Sequence, residues 1–346
     1  MSTPPRPTGH PHFLSLPDLA ARTAGGAVVW ANDDLFAEKE NLIKPGPAEH
    51  RPATFGHKGQ VYDGWETRRR RGVTAESHDS AVIRLGVPAV VRGVVVDTAW
   101  FTGNYPPEIS VEAAFVAGYP SVQELIEDPG KTDWTTIVER STVNGDTRNP
   151  FPTSSSRRWT HLRLSVYPDG GVARFRVHGE GLINPDFAEN MTLDLAALEN
   201  GGRITACSNM FYSSPNNLLL PGVARTMGDG WETSRRRDAG NDWVEMKLAG
   251  QGVLDAVELD TSYFVGNAPG AARLSGRDGD GSWFDILPLT ELQPDTRHRF
   301  RVHERRPVTA ARLDVYPDGG MARVRLFGSL TADGLREVCD RWAAGA

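Results

Sequence analysis

An internal duplication constrains this chain more than any other feature of its sequence. The nine residues Asp63-Gly-Trp-Glu-Thr-Arg-Arg-Arg-Arg71 recur as Asp229-Gly-Trp-Glu-Thr-Ser-Arg-Arg-Arg237, and only Arg68 is replaced, by Ser234. A near-identity that includes a tryptophan and an arginine run is far outside chance in a chain of 346 residues. The sequence therefore predicts two copies of one structural unit.

Two further landmarks recur in the same order. Residues 97–104 (DTAWFTGN) match residues 260–267 (DTSYFVGN), and the hairpin of residues 163–177 matches that of residues 312–326. The offset between the copies falls from 163 at the first of these landmarks to 149 at Trp134, so the first copy carries about 14 extra residues between them. A Ser-Val-Gln-Glu capping pattern predicts a short helix at residues 121–126 within that insertion.

The segments between the landmarks are typical of β-strands. They are short, rich in β-branched residues and bounded by Gly, Pro and Asn, and Pro-Asp-Gly-Gly presets a tight hairpin in each copy. Strands of this kind with almost no helix predict an all-β chain of two β-sandwiches.

The landmarks also suggest domain boundaries. We expect a flexible leader at residues 1–15, a first repeat at 16–185, a linker helix at 186–202, a second repeat at 203–330 and a C-terminal helix at 331–346.

Composition excludes several classes of function. Lys and Arg number 38 against 44 Asp and Glu, and this acidic balance weighs against nucleic acid or an acidic membrane as a partner. The two cysteines, Cys207 and Cys339, are too few for a disulfide framework or a cysteine metal cage. The chain has no apolar run of signal-peptide or membrane-span length, so a cytoplasmic protein is expected.

The repeated string has two interpretations. In the structural one, Asp-Gly forms a turn, the tryptophan anchors a core and the arginines pair with neighbouring carboxylates. In the functional one, period-2 alternation places Arg68 and Arg70 on one face and Arg69 and Arg71 on the other, so two guanidinium groups and Glu66 share a cleft. Forked guanidinium donors bind a carboxylate ligand as well as they bind a protein carboxylate.

The first copy is the richer in ionisable groups. An alignment with one residue inserted in the second copy pairs Phe36 with Phe211, and it sets residues 38–40 (Glu-Lys-Glu) against small or polar residues. His161 and His178 also lack histidine counterparts, and we expect both on the surface. Such asymmetry is typical of a duplicated enzyme with one working site, although drift on a solvated surface produces it too.

Taken together, these motifs resemble the allantoicases. The resemblance rests on residues 36–43 with Glu-Lys-Glu-Asn, residues 61–70 (VYDGWETRRR), residues 97–104 and the Tyr-Pro-Asp-Gly-Gly hairpins, and it covers roughly residues 16–330. It implies tandem jelly-roll sandwiches of the galactose-binding type, a homo-oligomer, and hydrolysis of allantoate to ureidoglycolate and urea in purine degradation.

Allantoate is a small carboxylate with two ureido groups on its central carbon, so its hydrolysis requires an acid/base group and a cation. The expected catalytic residues are Glu66, Glu40 and Asp63. The expected substrate-binding residues are Arg68, Arg69, Lys39 and Asn104. No cofactor is expected; a divalent metal is possible, but no ligand spacing demands one.

Two other functions fit parts of the sequence. One is a hydrolase or lyase acting on a related ureido acid such as ureidoglycolate, whose substrate makes similar demands. The other is a non-catalytic tandem carbohydrate-binding module, which would instead present exposed aromatic side chains and often a signal peptide.

Overall fold

Two compact units make up the described part of this computed structural model, residues 12–126 and 132–346. One comprises residues 12–180 with 345–346, and the other residues 181–344. The leader predicted at residues 1–15 lies mostly outside the described residues. Its last residues, His12–Ser15, form a 3-10 helix with Phe13 buried. This part of the predicted leader is therefore packed against the first unit.

The N-terminal unit consists mainly of strands. They are β1 (Ala27–Ala31), β2 (Phe55–Gly56), β3 (Gly59–Gln60), β4 (Trp65–Glu66), β5 (Asp79–Asp97), β6 (Glu108–Ala114), β7 (Thr135–Thr142), β8 (Arg148–Pro152), β9 (Arg158–Tyr167), β10 (Gly171–Val172) and β11 (Arg174–Gly181). The unit also contains helix α1 (Val122–Ile126) and three 3-10 helices, His12–Ser15, Arg22–Ala24 and Lys39–Ile43.

The C-terminal unit repeats this order from β13 onward, but without counterparts of β2, β3 and α1. Its strands are β12 (Leu193–Asp194), β13 (Arg203–Cys207), β14 (Trp231–Glu232), β15 (Asp242–Asp260), β16 (Ala271–Arg277), β17 (Phe284–Glu291), β18 (Arg297–Arg301), β19 (Val308–Tyr316), β20 (Gly320–Met321) and β21 (Arg323–Leu330), followed by α2 (Ala332–Ala344). Its 3-10 helices are Pro185–Phe187, Leu198–Asn200, Pro215–Leu219 and Met227–Asp229. The predicted linker helix at 186–202 is wrong, because that segment holds only the two-residue strand β12 and short 3-10 turns.

One long strand joins the two layers of each sandwich. In the C-terminal unit, residues 242–247 of β15 pair with β19, and residues 252–260 pair with β21 and β18. The register shifts between these halves, so a single 19-residue strand serves both sheets. In the N-terminal unit β5 does the same, pairing with β9 through its first half and with β8 through its last residues. The prediction of an all-β chain of two tandem jelly-roll sandwiches is confirmed.

Buried side chains from alternate strand positions fill the space between the layers. Leu162, Leu164 and Val166 of β9 are fully buried, as period-2 alternation requires. The prediction that His161 and His178 lie on the surface is wrong, because both are buried. The Phe13 ring lies 6.0 Å from the His178 ring between centroids, and His178 Nδ1 lies 2.7 Å from the carbonyl oxygen of Leu16, so residues 13–16 cover this histidine.

The predicted insertion connects β6 to β7. It contains α1, whose N-terminus is capped by Ser121 and Glu124 as the sequence pattern indicates. Among the described residues, no helix has both the length and the apolar character required to cross a membrane.

A second insertion escaped the sequence alignment. Equivalent hydrogen bonds run from the Trp65 indole to the Asp33 carbonyl and from the Trp231 indole to the Asn209 carbonyl. They give an offset of 176 without any inserted residue, so Phe36 corresponds to Tyr212 and the predicted pairing with Phe211 is wrong. The extra residues of the first copy lie after Glu49, whose amide bond to Asp63 has its equivalent at Arg225 and Asp229, and they include the β2–β3 hairpin.

Candidate active site

A polar cleft of about 770 Å³ opens in the N-terminal unit. Its walls are the β2–β3 hairpin, the residues that follow β4, the loop at 102–107 and the turn after β9. The polar side chains that line it are Lys58, Gln60, Tyr62, Glu66, Thr67, Arg69, Arg71, Thr102, Asn104, Tyr105 and Asp169.

Strand β4 positions Glu66 at the cleft. It pairs with β10, and its Trp65 is fully buried with the indole Nε1 donating to the carbonyl oxygen of Asp33 at 2.7 Å. Since neighbouring strand residues point to opposite faces, an inward Trp65 sends Glu66 toward the cleft. The buried tryptophan therefore acts as the anchor for the acidic group.

Glu66 is half-buried and has one polar partner of note. Asn104 Nδ2 donates a hydrogen bond to Glu66 Oε1 at 2.8 Å. Burial raises the pKa of Glu66, and this hydrogen bond offsets the effect only in part. A carboxyl group with a raised pKa holds its proton more readily than an exposed glutamate, as an acid catalyst requires.

The arginine run alternates as predicted. Arg69 and Arg71 line the cleft. Arg68 instead forms an ion pair with Asp33, and Arg70 forms one with the buried Asp79. Arg68 and Arg70 thus pair with protein carboxylates, as the structural interpretation of the string predicts. Arg69 and Arg71 instead face the cleft, as the functional interpretation predicts.

A second carboxylate reaches the cleft from the turn after β9. Asp169 accepts a hydrogen bond from the backbone amide of Arg70 at 2.7 Å, and the neighbouring Gly170 amide donates to the Thr67 hydroxyl at 3.1 Å. Sequence reasoning missed this aspartate because the Pro-Asp-Gly-Gly string is so typical of a hairpin turn. Its recurrence as Asp318, which accepts from the Arg236 amide, fits the turn role as well.

Asp63 lies outside the cleft lining. It is buried beside Arg174, whose guanidinium lies 2.6 Å from Asp63 Oδ2, and beside Lys44 at 2.9 Å from Oδ1. Burial by itself would raise the pKa of Asp63, but hydrogen bonds from Arg174, the Glu49 amide and Lys44 outweigh it and hold that pKa at about 2. This aspartate links the loop at 44–49 to strand β11 and stays charged until the pH falls to about 2.

The charged residues of the Lys39–Ile43 helix also point elsewhere. Lys39 Nζ lies 2.9 Å from Glu40 Oε1 and 3.7 Å from Asp34, and neither Lys39 nor Glu40 lines the cleft. The member of this segment that does line it is Phe36. Of the residues predicted for the site, the structure thus brings together Glu66, Arg69 and Asn104, while Glu40, Asp63, Lys39 and Arg68 lie outside the lining.

The C-terminal unit retains a counterpart of the acid–amide pair. Asn267 Nδ2 donates to Glu232 Oε1 at 2.7 Å, and the same nitrogen lies 3.2 Å from Met227 Sδ. This unit has no equivalent of the β2–β3 hairpin, and Met227 contacts its asparagine instead. No group of three or more His, Cys, Asp or Glu side chains suited to a metal ion occurs in residues 12–126 and 132–346.

Comparison with known proteins matches each of the two repeats separately to one family. The model of the allantoicase repeat family matches residues 17–182 and 193–331. A probable allantoicase from Nocardia farcinica is 60% identical over 92% of this chain and 95% of its own length. One from Streptomyces coelicolor is 52% identical over 95% of this chain and 89% of its own. The crystal structure of allantoicase from Saccharomyces cerevisiae superposes with a TM-score of 0.79 at 33% identity, covering 90% of this chain and 92% of that one.

Proposed function

This chain belongs to the allantoicase family, and from that membership we propose that the cleft of the N-terminal unit is its active site. The reaction is the hydrolysis of allantoate to ureidoglycolate and urea, a step in purine degradation. The observation that carries the proposal is Glu66, a half-buried carboxyl group with a raised pKa, which lines the same cleft as Arg69 and Arg71, two arginines without a carboxylate partner among the described residues. An acid and a cation in one cleft are what a ureido carboxylate requires.

Glu66 acts first as an acid. Its carboxyl proton passes to the nitrogen of one ureido group, and the bond from that nitrogen to the central carbon breaks. The bonding electrons leave with urea, and the lone pair of the remaining ureido nitrogen stabilises the central carbon as an acyl-iminium. The burial that favours protonated Glu66 favours this step.

Glu66 then acts as a base. Water adds to the central carbon and gives up a proton to the Glu66 carboxylate, which restores the acid and forms the hydroxyl of ureidoglycolate. Allantoate and one water are thus converted to ureidoglycolate and urea, with no net change in the protonation of the enzyme. Asn104 orients the carboxyl group through its hydrogen bond to Oε1.

Arg69 and Arg71 supply positive charge at the cleft. Within the described ranges neither side chain has an ion-pair or hydrogen-bond partner, so both are available to an anionic substrate. Lys39 and Arg68 are already paired with carboxylates and are proposed to support the cleft wall. For Glu40 and Asp63 we propose the same supporting part, because ion pairs hold them as carboxylates.

Substitution of the acid in each unit tests the assignment. In Glu66→Gln the amide cannot donate and recover a proton, so kcat for allantoate is expected to fall by about 10² to 10⁴. The matched control is Glu232→Gln, which alters the equivalent pair in the C-terminal unit and should leave kcat unchanged. Urea release is the measurement, and a Glu66→Gln enzyme with ordinary turnover would remove Glu66 from the chemistry.

We also propose a cellular location, an oligomeric state and repeat boundaries for the protein. Cys207 and Cys339 are free thiols, which supports a cytoplasmic location, where thiols stay reduced. The C-terminal unit exposes Met210, Phe211 and Val265, apolar side chains of the kind that interfaces cover, which supports a homo-oligomer. The matched family segments support repeats near the expected boundaries of 16–185 and 203–330.

A further inference from the structure

The β2–β3 hairpin belongs to one repeat only. Asn41 and Asn217 are equivalent, because each donates its side-chain amide to the glycine carbonyl of the repeated string at 2.8 Å. The first copy has 22 positions from Asn41 to Asp63, and the second has 12 from Asn217 to Asp229. The ten additional residues of the first copy therefore lie between a shared 3-10 helix and the shared Asp-Gly turn.

The base of this insertion is tied to the sandwich. The Glu49 amide donates to Asp63 Oδ2 at 2.9 Å, and the Trp100 indole donates to the Ala48 carbonyl at 2.9 Å. The His50 ring packs on Trp100 with ring centroids 4.5 Å apart. These contacts fix where the hairpin leaves the sandwich and so fix which cleft its tip can reach.

The tip of the hairpin carries a lysine into the cleft. Strands β2 and β3 are joined by the two residues His57 and Lys58, and Gly59 has the positive φ of 115° that this tight turn uses. Lys58 lines the cleft, whereas His57 does not. In the part of the chain that the structure describes, Lys58 has no ion-pair partner, unlike Lys39 and Lys44.

The cleft arginines do not distinguish the two repeats. Arg69 and Arg71 correspond to Arg235 and Arg237, which occur in a unit that lacks the hairpin. The Glu49 amide donates to Asp63 Oδ2 as the Arg225 amide donates to Asp229 Oδ2, so the ten additional residues follow Glu49 and Lys58, which lies among them, has no counterpart in the second repeat. Lys58 is thus a cation at the cleft that the second repeat cannot supply.

We infer that Lys58 binds the carboxylate of the substrate, and that the hairpin thereby gives the first repeat its preference for a ureido acid over a neutral ureide. The inference rests on the proposed function, since it takes the same cleft as the binding site. An ammonium group on a flexible four-carbon side chain can adjust to the position of a small anion, and the turn at residues 56–59 contains no carboxylate that would compete for it. Arg69 and Arg71 add positive charge to the cleft, but they have counterparts in the second repeat and so do not account for the difference between the repeats.

Lys58→Ala tests the inference against a control on the same turn. KM for allantoate should rise by about tenfold with kcat little changed, because one charge-assisted contact to the substrate is lost. Lys58→Arg should recover most of the affinity. His57→Ala removes the neighbouring side chain, which does not line the cleft, and should behave as the wild type.

Charge selectivity provides a readout that a merely structural role of Lys58 would not move. N-carbamoylglycine has a carboxylate and one ureido group, and its primary amide is the neutral equivalent. Lys58→Ala should weaken binding of the acid by about tenfold and leave binding of the amide unchanged, measured by calorimetry. Equal losses for the two ligands, or none for the acid, would overturn the inference.

Failure of the proposed function would show separately. A wild-type protein that binds N-carbamoylglycine but releases no urea from allantoate would contradict the proposed reaction while leaving the calorimetric comparison intact. Conversely, an active wild type with an unchanged KM in Lys58→Ala would contradict only the assignment of Lys58.

Discussion

At the scale of single residues, environment separates side chains of the same type. Glu66 and Glu40 are both candidate acids, but Glu66 is half-buried beside an amide while Glu40 is paired with Lys39. A carboxylate held by an ammonium group remains ionised, whereas one withdrawn from water gains affinity for its proton. We therefore propose Glu66, rather than Glu40, as the acid.

The Asn104 hydrogen bond predicts a shift in the pH profile. It stabilises the carboxylate form of Glu66 and so lowers the pKa of that group against the stronger effect of burial. In Asn104→Ala the pKa of Glu66 is expected to rise further. Since the acid acts in its protonated form, kcat/KM falls as pH rises through this pKa, and the falling limb should move to higher pH.

The matched control for this prediction is Asn267→Ala, which removes the equivalent amide from Glu232. Its pH profile should coincide with that of the wild type. Arg69, Arg71 and Asp169 also face the cleft and are unchanged in both variants, so they cannot account for a difference. A limb that stays in place in Asn104→Ala would show that Glu66 is not the titrating acid.

At the scale of secondary-structure elements, the two copies differ in how one loop is held. In the N-terminal unit, Asp63 ties the loop at 44–49 to Arg174 of β11. Two contacts are shared, because Arg323 donates to the Asp229 backbone carbonyl as Arg174 does to that of Asp63, and the Arg225 amide donates to the Asp229 carboxylate as the Glu49 amide does to that of Asp63. In the described part of the C-terminal unit, however, Arg323 forms no ion pair with Asp229, and burial lowers the pKa of Arg323 to about 10. The longer loop of the first copy thus coincides with a buried ion pair at its aspartate.

This link predicts acid sensitivity in the N-terminal unit. The pKa of Asp63 is about 2 in the folded protein against an ordinary 3.8, so its contribution to stability is complete above the ordinary value and is lost as pH falls toward 2. Allowing for solvent screening at Lys44, the contribution is about 1 to 2 kcal/mol. Urea unfolding of Asp63→Asn should therefore lose less stability between pH 4 and pH 2 than that of the wild type, by about that amount.

Asp229→Asn is the control, because the one ion pair formed by Asp229 among the described residues is with the largely exposed Arg225. It should show the acid sensitivity of the wild type. Parallel losses of stability in Asp63→Asn and the wild type would mean that the pKa of Asp63 is not depressed.

At the scale of the whole molecule, one duplicated fold carries the proposed active cleft in its N-terminal unit. Trp65 and Trp231 are equivalent, fully buried, and hydrogen-bonded through their indoles at 2.7 Å and 2.9 Å. Each precedes a glutamate that accepts a hydrogen bond from an asparagine. The copies thus share the buried tryptophan and the acid–amide pair, and they differ in the β2–β3 hairpin, which only the first copy has.

Truncation of each tryptophan is expected to separate stability from activity. Trp231→Ala should lower the free energy of unfolding by about 3 to 5 kcal/mol, the usual cost of emptying a fully buried aromatic site. Its turnover per folded molecule should match that of the wild type, because the cleft lies in the other unit. Trp65→Ala should lose similar stability and also kcat, because Glu66 loses its anchor.

Urea denaturation gives the stability, and allantoate turnover at a temperature where the variant remains folded gives the activity. Loss of turnover in folded Trp231→Ala would indicate that the C-terminal unit takes part in catalysis.

The sequence by itself determined the duplication, the all-β sandwich class, the helix in the insertion before Trp134 and the alternation of the arginine run. These features depend on local rules, namely self-similarity, capping and the two-residue period of extended chain, which residue patterns express directly. The resemblance to the allantoicases was carried by contiguous motifs for the same reason.

Only the tertiary structure decided which side chains are buried or paired and which are exposed to solvent. Alternation sorts Arg68 from Arg69, but Asp33, 35 residues from Arg68 in sequence, determines which of them is occupied by a protein carboxylate. His178 is buried because Phe13 and Leu16 pack against it, and Lys58 reaches the cleft because distant contacts fix the base of its hairpin. Burial and charge pairing arise from segments that meet only on folding, and no local pattern records them.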